Sequence, residues 1–134
     1  MRIVLDTNVV VSGLLSEVGP PGWIVDLVVA GELEAVYDAR ILAEYREVLT
    51  RARLALPGEQ LEAFLRYIEH RGLEVTAPPW QNRLRDRDDE PFLAVAAAAS
   101  ATLVTGNLRH FPARSRGGVL VLSPRQFLDC WPKS

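Results

Sequence analysis

The side chains best able to do chemistry in this sequence are carboxylates that lie next to apolar segments. Asp6 ends the first apolar run, and Glu44 lies on a charged helical segment. Another apolar run is preceded by Asp86, Asp88 and Asp89. Carboxylates that converge on a pocket repel one another unless a cation compensates their charge. Hard oxygen ligands with few histidines or cysteines favour Mg²⁺ or Mn²⁺ over zinc. Such a cation can activate a water and neutralise charge on a phosphodiester during in-line displacement.

Each of these acids also has a purely structural interpretation. Asp6 can end a strand and cap the next helix, and Glu44 can be a solvated residue of a charged helix. The run from Asp86 to Glu90 can complement the dipole of the helix that it opens, which is worth about 0.3–1 kcal/mol for an exposed charge. Only the joint arrangement of three acidic positions at strand or helix ends indicates a shared site.

Short apolar segments alternate with helical segments along the chain, and these elements must position the acids. The predicted strands are residues 2–5, 34–37, 73–75, 102–105 and 119–122. The predicted helices are residues 8–15, 23–30, 39–52, 57–70, 91–100 and 124–130. Strands that are apolar throughout, rather than alternating, indicate a parallel sheet covered on both faces. We therefore predict an α/β fold of three layers, α/β/α, with a central parallel sheet, as a single domain over residues 1–134.

Composition narrows the class of protein. At 134 residues with 49% hydrophobic content, the chain is long enough to bury a core without disulfides or metals as staples. The net charge of −2 does not indicate a nucleic-acid binder, although an acidic cluster can coexist with a separate basic surface. Cys130 is the only cysteine, so a buried or unreactive thiol is expected and an intramolecular disulfide is excluded. No signal peptide or apolar stretch of roughly 20 residues is visible, which predicts a cytoplasmic protein.

The chain resembles the PIN-domain family, small metal-dependent nucleases that include the VapC-type toxins, over essentially its whole length. Four motifs carry the resemblance: a strand ending in Asp-Thr-Asn, a glutamate in the third helix, Asp-x-Asp-Asp before Phe-Leu-Ala, and Leu-Val-Thr-Gly-Asn. They lie at residues 3–8, 44, 86–94 and 103–107. Each motif is weak by itself, but four in this order are specific. The resemblance implies a Rossmann-like sheet.

The resemblance also implies a set of metal-site residues. Asp6, Glu44 and Asp89 match the family's three principal acids, and Asp88 competes for the third position. Asp89 is preferred because it stands three residues before Phe92, so that one helical turn would hold the phenyl ring in the core and the acid at the rim. The family usually has a fourth acid where this chain has Asn107. An amide can coordinate through its oxygen but supplies no charge, so single-metal chemistry or weakened activity is plausible.

Small polar and basic residues surround these acids in the sequence. Thr7, Asn8 and Thr105 resemble the family's residues that orient the acids and bound water, and their structural alternative is helix capping or strand-end hydrogen bonding. Arginines on both sides of the acids can contact phosphates or can simply be solvated. His110 is interpreted as a loop or packing residue rather than a catalytic base. The basic candidates are Arg85, Arg87 and Arg109, with Arg83, Arg114 and Arg116 also nearby.

The function implied by the resemblance is a Mg²⁺- or Mn²⁺-dependent endoribonuclease, the toxin of a type II toxin–antitoxin pair. Its expected partners are an RNA substrate, an antitoxin that covers the acidic pocket, and a second copy in a homodimer. The alternative, motivated by Asn107, is a nucleic-acid-binding or interaction module that keeps the fold but has weakened or lost catalysis. A phosphatase with Asp6 as nucleophile is disfavoured because residue 8 is not a second aspartate and Lys133 is the only lysine. Nucleotide-binding glycine motifs and a nucleophile elbow are missing from the sequence.

Overall fold

The computed structural model describes residues 1–51 and 57–132, which form a parallel sheet with helices packed against it. The strands are β1 Arg2–Leu5, β2 Glu34–Tyr37, β3 Leu73–Glu74, β4 Thr102–Val104 and β5 Val121–Leu122. The helices are α1 Thr7–Leu15, α2 Pro20–Val29, α3 Ala39–Arg51, α4 Gly58–Arg71, α5 Glu90–Ala99 and α6 Pro124–Cys130. Short 3-10 helices lie at Arg87–Asp89, Leu108–His110 and Ala113–Ser115.

The strand order β3-β2-β1-β4-β5 puts the first strand in the centre of the sheet. All neighbouring pairs are parallel, and β1 pairs with β2 on one side and with β4 on the other. The chain therefore first forms β2 and β3 on one side of β1, and later forms β4 and β5 on the other side. Ligands in such sheets bind at the carboxyl ends of the strands where the direction of winding reverses. In this fold that point lies between the ends of β1 and β4.

The sheet is buried on both faces, as its uninterrupted apolar strands predict. Ile3, Val4 and Leu5 are all buried, although successive side chains of a strand point to opposite faces. Helix α5 packs against β1, β2 and β4, and its buried residues include Phe92 and Leu93. The predicted α/β class with a central parallel sheet is confirmed.

The predicted helices and strands are found in the predicted order, but several boundaries differ. Helix α2 begins at Pro20, so the predicted start at residue 23 is wrong. Proline fits the first turn of a helix because the N–H groups there have no intrahelical acceptor. Strands β3, β4 and β5 are shorter than predicted. The last residue of the predicted third helix, residue 52, lies outside the described residues.

Two apolar residues of α2 and the single cysteine are exposed. Ile24, Val25 and Val28 pack in the core, but Trp23 is 45% exposed and Val29 is 51% exposed. Cys130 is exposed, so it is not the buried thiol that was one of the two expectations; that it is unreactive stays a prediction. Within the described ranges, no helix combines the length and the apolar character that crossing a membrane requires.

Candidate active site

Asp6 lies at the carboxyl end of β1 and is held there from two sides. It is the N-cap of α1, and its Oδ1 accepts a hydrogen bond from the Thr7 backbone N–H at 2.8 Å. Its Oδ2 accepts a hydrogen bond of 2.7 Å from Thr105 Oγ1, just beyond β4. Only 5% of Asp6 is exposed. Burial raises the pKa of Asp6 above its ordinary value, while the hydrogen bonds from Thr105 and Thr7 oppose this rise. Asp6 is therefore both a helix cap and a carboxylate in a fixed orientation.

Glu44 projects from α3 towards the same place. Its Oε2 accepts a hydrogen bond from the Thr7 hydroxyl, so Thr7 contacts two of the three acids. The neighbouring Tyr45 is buried, and its hydroxyl donates to the Leu5 carbonyl, which fixes α3 against the end of β1. Burial raises the pKa of Glu44, and the negative charges of Asp6 and of residues 86 and 88 raise it further, against the effect of the Thr7 hydrogen bond.

Asp89 ends the 3-10 helix that leads into α5, and one of its oxygens is buried without a hydrogen bond. Its side chain is 13% exposed, and it occupies the N-cap position of α5 without capping it. Oδ2 lies 3.2 Å from His110 Nδ1, outside hydrogen-bonding geometry, and has no other polar partner. Burial raises the pKa of Asp89 to about 7, with further contributions from Asp6, Asp86 and Glu44, while His110 lowers it. A buried carboxylate without a donor destabilises the folded protein when it is ionised and no cation is bound. Helix capping does not account for an acid here, because Asp89 makes no capping hydrogen bond.

The neighbouring acids have separate positions. Asp88 is exposed, and its backbone N–H donates to Asp86 Oδ1 at 2.9 Å, so that Asp86 caps the 3-10 helix. Asp86 also acts on the site through its charge, which raises the pKa values of both Glu44 and Asp89. Asp86 was named among the acids at this end of the helix but was not included in the predicted metal site. The signal for it was the spacing of three residues to Asp89, since side chains three apart in a 3-10 helix share a face. Glu90 has a structural contact, accepting from the Leu84 N–H at 2.9 Å.

The turn after β4 brings two further polar side chains to the acids. The Asn107 N–H donates to Thr105 Oγ1 at 3.0 Å, and the Gly106 N–H donates to Asn8 Oδ1 at 3.0 Å. Asn107 Nδ2 lies 2.9 Å from His110 Nε2. The two ring nitrogens of His110 therefore face different side chains, Nε2 towards Asn107 and Nδ1 towards Asp89. His110 lies in a short turn as expected, and its ring is also placed between Asn107 and Asp89; that it is not a catalytic base stays a prediction.

The predicted basic residues divide between two clefts beside the acids. Arg85 and Arg109 line a cleft of about 470 Å³ together with Asp89 and His110. Arg87 lines a second cleft, of about 460 Å³, on which Glu44 and Asp88 also lie. Arg83 and Arg114 are exposed and line neither cleft, and Arg116 donates to the Phe111 carbonyl at 2.8 Å. Among the described residues, no arginine lies at ion-pair distance from Asp6, Glu44 or Asp89, and the basic side chain nearest to these acids is His110, 3.2 Å from Asp89 Oδ2.

The donor atoms suit a hard cation, although the side chains do not already form a closed metal site. Across residues 1–51 and 57–132, no three histidine, cysteine, aspartate or glutamate side chains are close enough together to hold an ion as they lie. The charge of Asp6 nevertheless raises the pKa values of Glu44 and Asp89, the charge of Glu44 also raises that of Asp89, and Oδ2 of Asp89 is buried without a donor. Oxygen donors with excess negative charge are the set that Mg²⁺ or Mn²⁺ takes in proteins.

Comparison with known proteins gives one family match and one curated relative. A family model described as PIN domain matches residues 2–109. An uncharacterised protein of Methanocaldococcus jannaschii is 26% identical over 144 aligned positions, which span 99% of this chain and 93% of that protein.

Among solved structures, the fold is similar to that of chains in two named assemblies. VapBC2 from Rickettsia felis, bound to a DNA fragment from its promoter, contains a chain that matches with a TM-score of 0.62 at 17% identity, covering 92% of this chain and 98% of that one. FitAcB from Neisseria gonorrhoeae contains one that matches with a TM-score of 0.56 at 20% identity, with the same coverage of 92% and 98%. At these identities the likeness shows a shared fold.

Proposed function

The chain belongs to the PIN-domain family, and from that premise we propose that it is an endoribonuclease that depends on a divalent cation and hydrolyses phosphodiester bonds. The proposed catalytic acids are Asp6, Glu44 and Asp89. The observation that carries the proposal is the buried Oδ2 of Asp89, which has no hydrogen bond and belongs to a carboxyl group with a pKa of about 7. Such an atom has unmet bonding capacity, and a cation would satisfy it.

In this proposal the protein's own residues hold the acids in place before any substrate binds. Thr105 and the Thr7 N–H fix the two oxygens of Asp6, and the Thr7 hydroxyl fixes Glu44. Carboxylates that are already oriented need no reorganisation during the reaction, which is the source of most electrostatic catalysis. When bound, Mg²⁺ or Mn²⁺ would supply Lewis acidity, activating a water and neutralising charge on the phosphate.

Asn107 would contact the cation or the substrate beside the three acids, and the arginines would contact the substrate. With the amide nitrogen of Asn107 next to His110, its oxygen is the atom left to contact a cation or a ribose. Arg85 and Arg109 flank Asp89 in one cleft and would contact backbone phosphates there. These contacts would position an RNA chain without reading its sequence.

We further propose that the protein pairs with an antitoxin, as the toxin of a type II system. Support comes from the family resemblance and from the structures of similar fold, which are the assemblies VapBC2 and FitAcB. A basic side chain of a partner protein could bind in the cleft that contains Asp89, because the negative charge there would attract it as it would attract a cation. A homodimer is also proposed, with the exposed Trp23 and Val29 of α2 as the apolar contact.

The deciding experiment is RNA cleavage by the purified protein with Mg²⁺ or Mn²⁺, compared with Asp6→Asn. We expect cleavage by the wild-type protein and its loss in the variant, because the amide removes one charge from the centre of the site. Asp26→Asn is the matched control, since Asp26 is an exposed acid on α2 outside the site. Equal cleavage by wild-type protein and Asp6→Asn, or none with either cation, would refute the proposal.

The second candidate function is an RNA-binding module with weakened catalysis. Two observations favour it: Asn107 replaces a charged position, and the three acids do not converge closely enough to form a ready-made ion site among the described residues. Calorimetric titration with Mn²⁺ separates the two functions. Weak Mn²⁺ binding together with salt-dependent RNA binding supports the module, whereas tight Mn²⁺ binding that Asp6→Asn abolishes supports the enzyme.

A further inference from the structure

A cleft with an aromatic wall adjoins the proposed active site. It measures about 460 Å³, within the usual range of about 300–1,000 Å³ for small-molecule pockets. Trp80 and Arg87 line it, and so do four acids, Glu44, Glu47, Asp88 and Glu90. The cleft therefore shares a residue with the proposed catalytic acids and extends from them to an indole ring.

Trp80 is held in a fixed position without being absorbed into the core. It is half-buried, and its Nε1 donates a hydrogen bond of 3.1 Å to the carbonyl of Ser115, a buried residue. The six-membered part of the indole lies against Gly117, where a Cβ atom would come within 2.9 Å of Cζ2 and Cη2. An aromatic ring that is already fixed loses little conformational freedom when a flat ligand stacks on it. These contacts make Trp80 a suitable stacking platform.

The positive charge in this cleft comes from two arginines with different surroundings. Arg40 is engaged, because its guanidinium lies 2.7 Å from Asp38 Oδ2. Arg87 is exposed, and within the described residues no carboxylate lies at ion-pair distance from its guanidinium. Arg87 is therefore the side chain in this cleft best placed to pair with an incoming anion.

We propose that Trp80 and Arg87 form a nucleotide subsite, in which Trp80 stacks on an unpaired base next to the bond to be cut and Arg87 contacts the adjoining phosphate. The inference rests on the proposed ribonuclease function, since the subsite is defined by its continuity with Glu44. Stacking on a side chain requires a base that is free of its duplex, so the substrate class is single-stranded RNA or an unpaired loop. The subsite selects for an accessible base rather than for one base identity.

The test measures RNA binding in the Asp6→Asn background, where the RNA is expected to stay intact, with Mg²⁺ present. Two probes are compared: a short single-stranded oligoribonucleotide and the same ribose-phosphate chain without bases. The subsite predicts that Trp80→Leu weakens binding of the first probe by about 5- to 150-fold and leaves the second almost unchanged. Trp80→Phe retains a ring and should recover most of the loss. Val18→Ala, at an exposed apolar residue between α1 and α2, is the control and should bind both probes as before.

A folding defect and a failed proposal give different results. Thermal unfolding identifies a variant that is merely unstable. Arg87→Ala, at an exposed position, provides a second variant. It should reduce the slope of RNA affinity against salt concentration by the amount expected for about one phosphate contact. The subsite is refuted if Trp80→Leu binds the base-containing probe as tightly as its parent, or if the loss is equal for both probes. If the parent binds neither probe, the proposed RNA substrate fails as well. If Trp80→Leu weakens only binding to a partner protein, the cleft is a protein contact and the subsite is refuted.

Discussion

Asp89 is the residue at which protonation and function should be most tightly coupled. Its pKa of about 7 means that the carboxyl group is largely protonated below neutral pH, when it cannot bind a cation well. We expect Mn²⁺ affinity to rise with pH up to about 7, by at most about tenfold per pH unit for one displaced proton, and then to level off. Calorimetry across this range measures the effect.

Asp89→Asn gives the internal check on this pH dependence. The amide does not titrate, so the variant should bind Mn²⁺ weakly and lose the rise near neutral pH. Asp129→Asn, at an exposed acid on α6, should retain it. A wild-type affinity that is flat across neutral pH would contradict the assignment of Asp89.

His110 should set the pH at which Asp89 becomes ionised. Its charge lowers the pKa of Asp89, so His110→Ala should move the midpoint of Mn²⁺ binding to higher pH. His70 is the other histidine and lies exposed in the last turn of α4, which makes His70→Ala a matched control with an unchanged midpoint. A midpoint that stays constant or falls in His110→Ala would show that His110 does not act on Asp89.

At the scale of elements, the close contact between α1 and α2 depends on Gly13. A Cβ atom there would lie 2.5 Å from Val25 Cγ2 and 2.7 Å from the Pro21 carbonyl oxygen. Glycine to alanine within a helix normally stabilises by about 0.5–1 kcal/mol, but here overpacking should dominate and lower the free energy of unfolding by about 1–3 kcal/mol.

Urea unfolding of Gly13→Ala measures this cost. Gly58→Ala is the matched control, because Gly58 lies in the first turn of α4 and a Cβ atom there meets nothing within 4 Å. The control should be neutral or slightly stabilised. If Gly13→Ala is as stable as the control, the two helices can separate without cost and the contact is not tight.

The same elements show how far local sequence patterns reach. Apolar strands and helical spacing predicted the order of the strands and helices and the parallel sheet, because burial on both faces leaves a local signature. The start of α2 was missed because glycines on both sides of Pro20 and Pro21 favour a loop, although the two prolines fit the first turn of the helix. Family resemblance implied the roles of Asp6, Glu44 and Asp89, which remain predictions. Their hydrogen bonds depend on packing between segments that are distant in the sequence. The positions of Asp86 and His110 depend on short 3-10 helices, which no local sequence pattern predicted.

At the scale of the whole molecule, the acidic site should make the cation-free protein less stable as the pH rises. The pKa of Asp89 is raised from an ordinary value of 3.8 to about 7 in the folded state, so between these values the folded protein binds more protons than the unfolded chain. Stability that is present at low pH is therefore lost as the pH rises towards 7, and the raised pKa values of Asp6 and Glu44 act in the same direction.

A divalent cation should restore this stability. At a Mn²⁺ concentration about 100 times its dissociation constant, binding to the folded state alone adds about 2.7 kcal/mol. We expect the melting temperature above pH 7 to rise with Mn²⁺ and to fall again with a chelator, and Asp6→Asn to respond much less. A melting temperature that is insensitive to Mn²⁺ in the wild-type protein would argue against a cation site.

The hydrogen bond from Thr105 to Asp6 joins residues that are 99 positions apart, and this separation has a consequence in time. A ribosome adds about 5–20 residues per second, so Asp6 is made about 5 to 20 s before the side chain that fixes its second oxygen. During that interval β1 also lacks β4 as its neighbour, and one edge of the central strand is open. A nascent chain arrested before Thr105 should therefore contain two of the three proposed catalytic acids, or all three, and still have no assembled site.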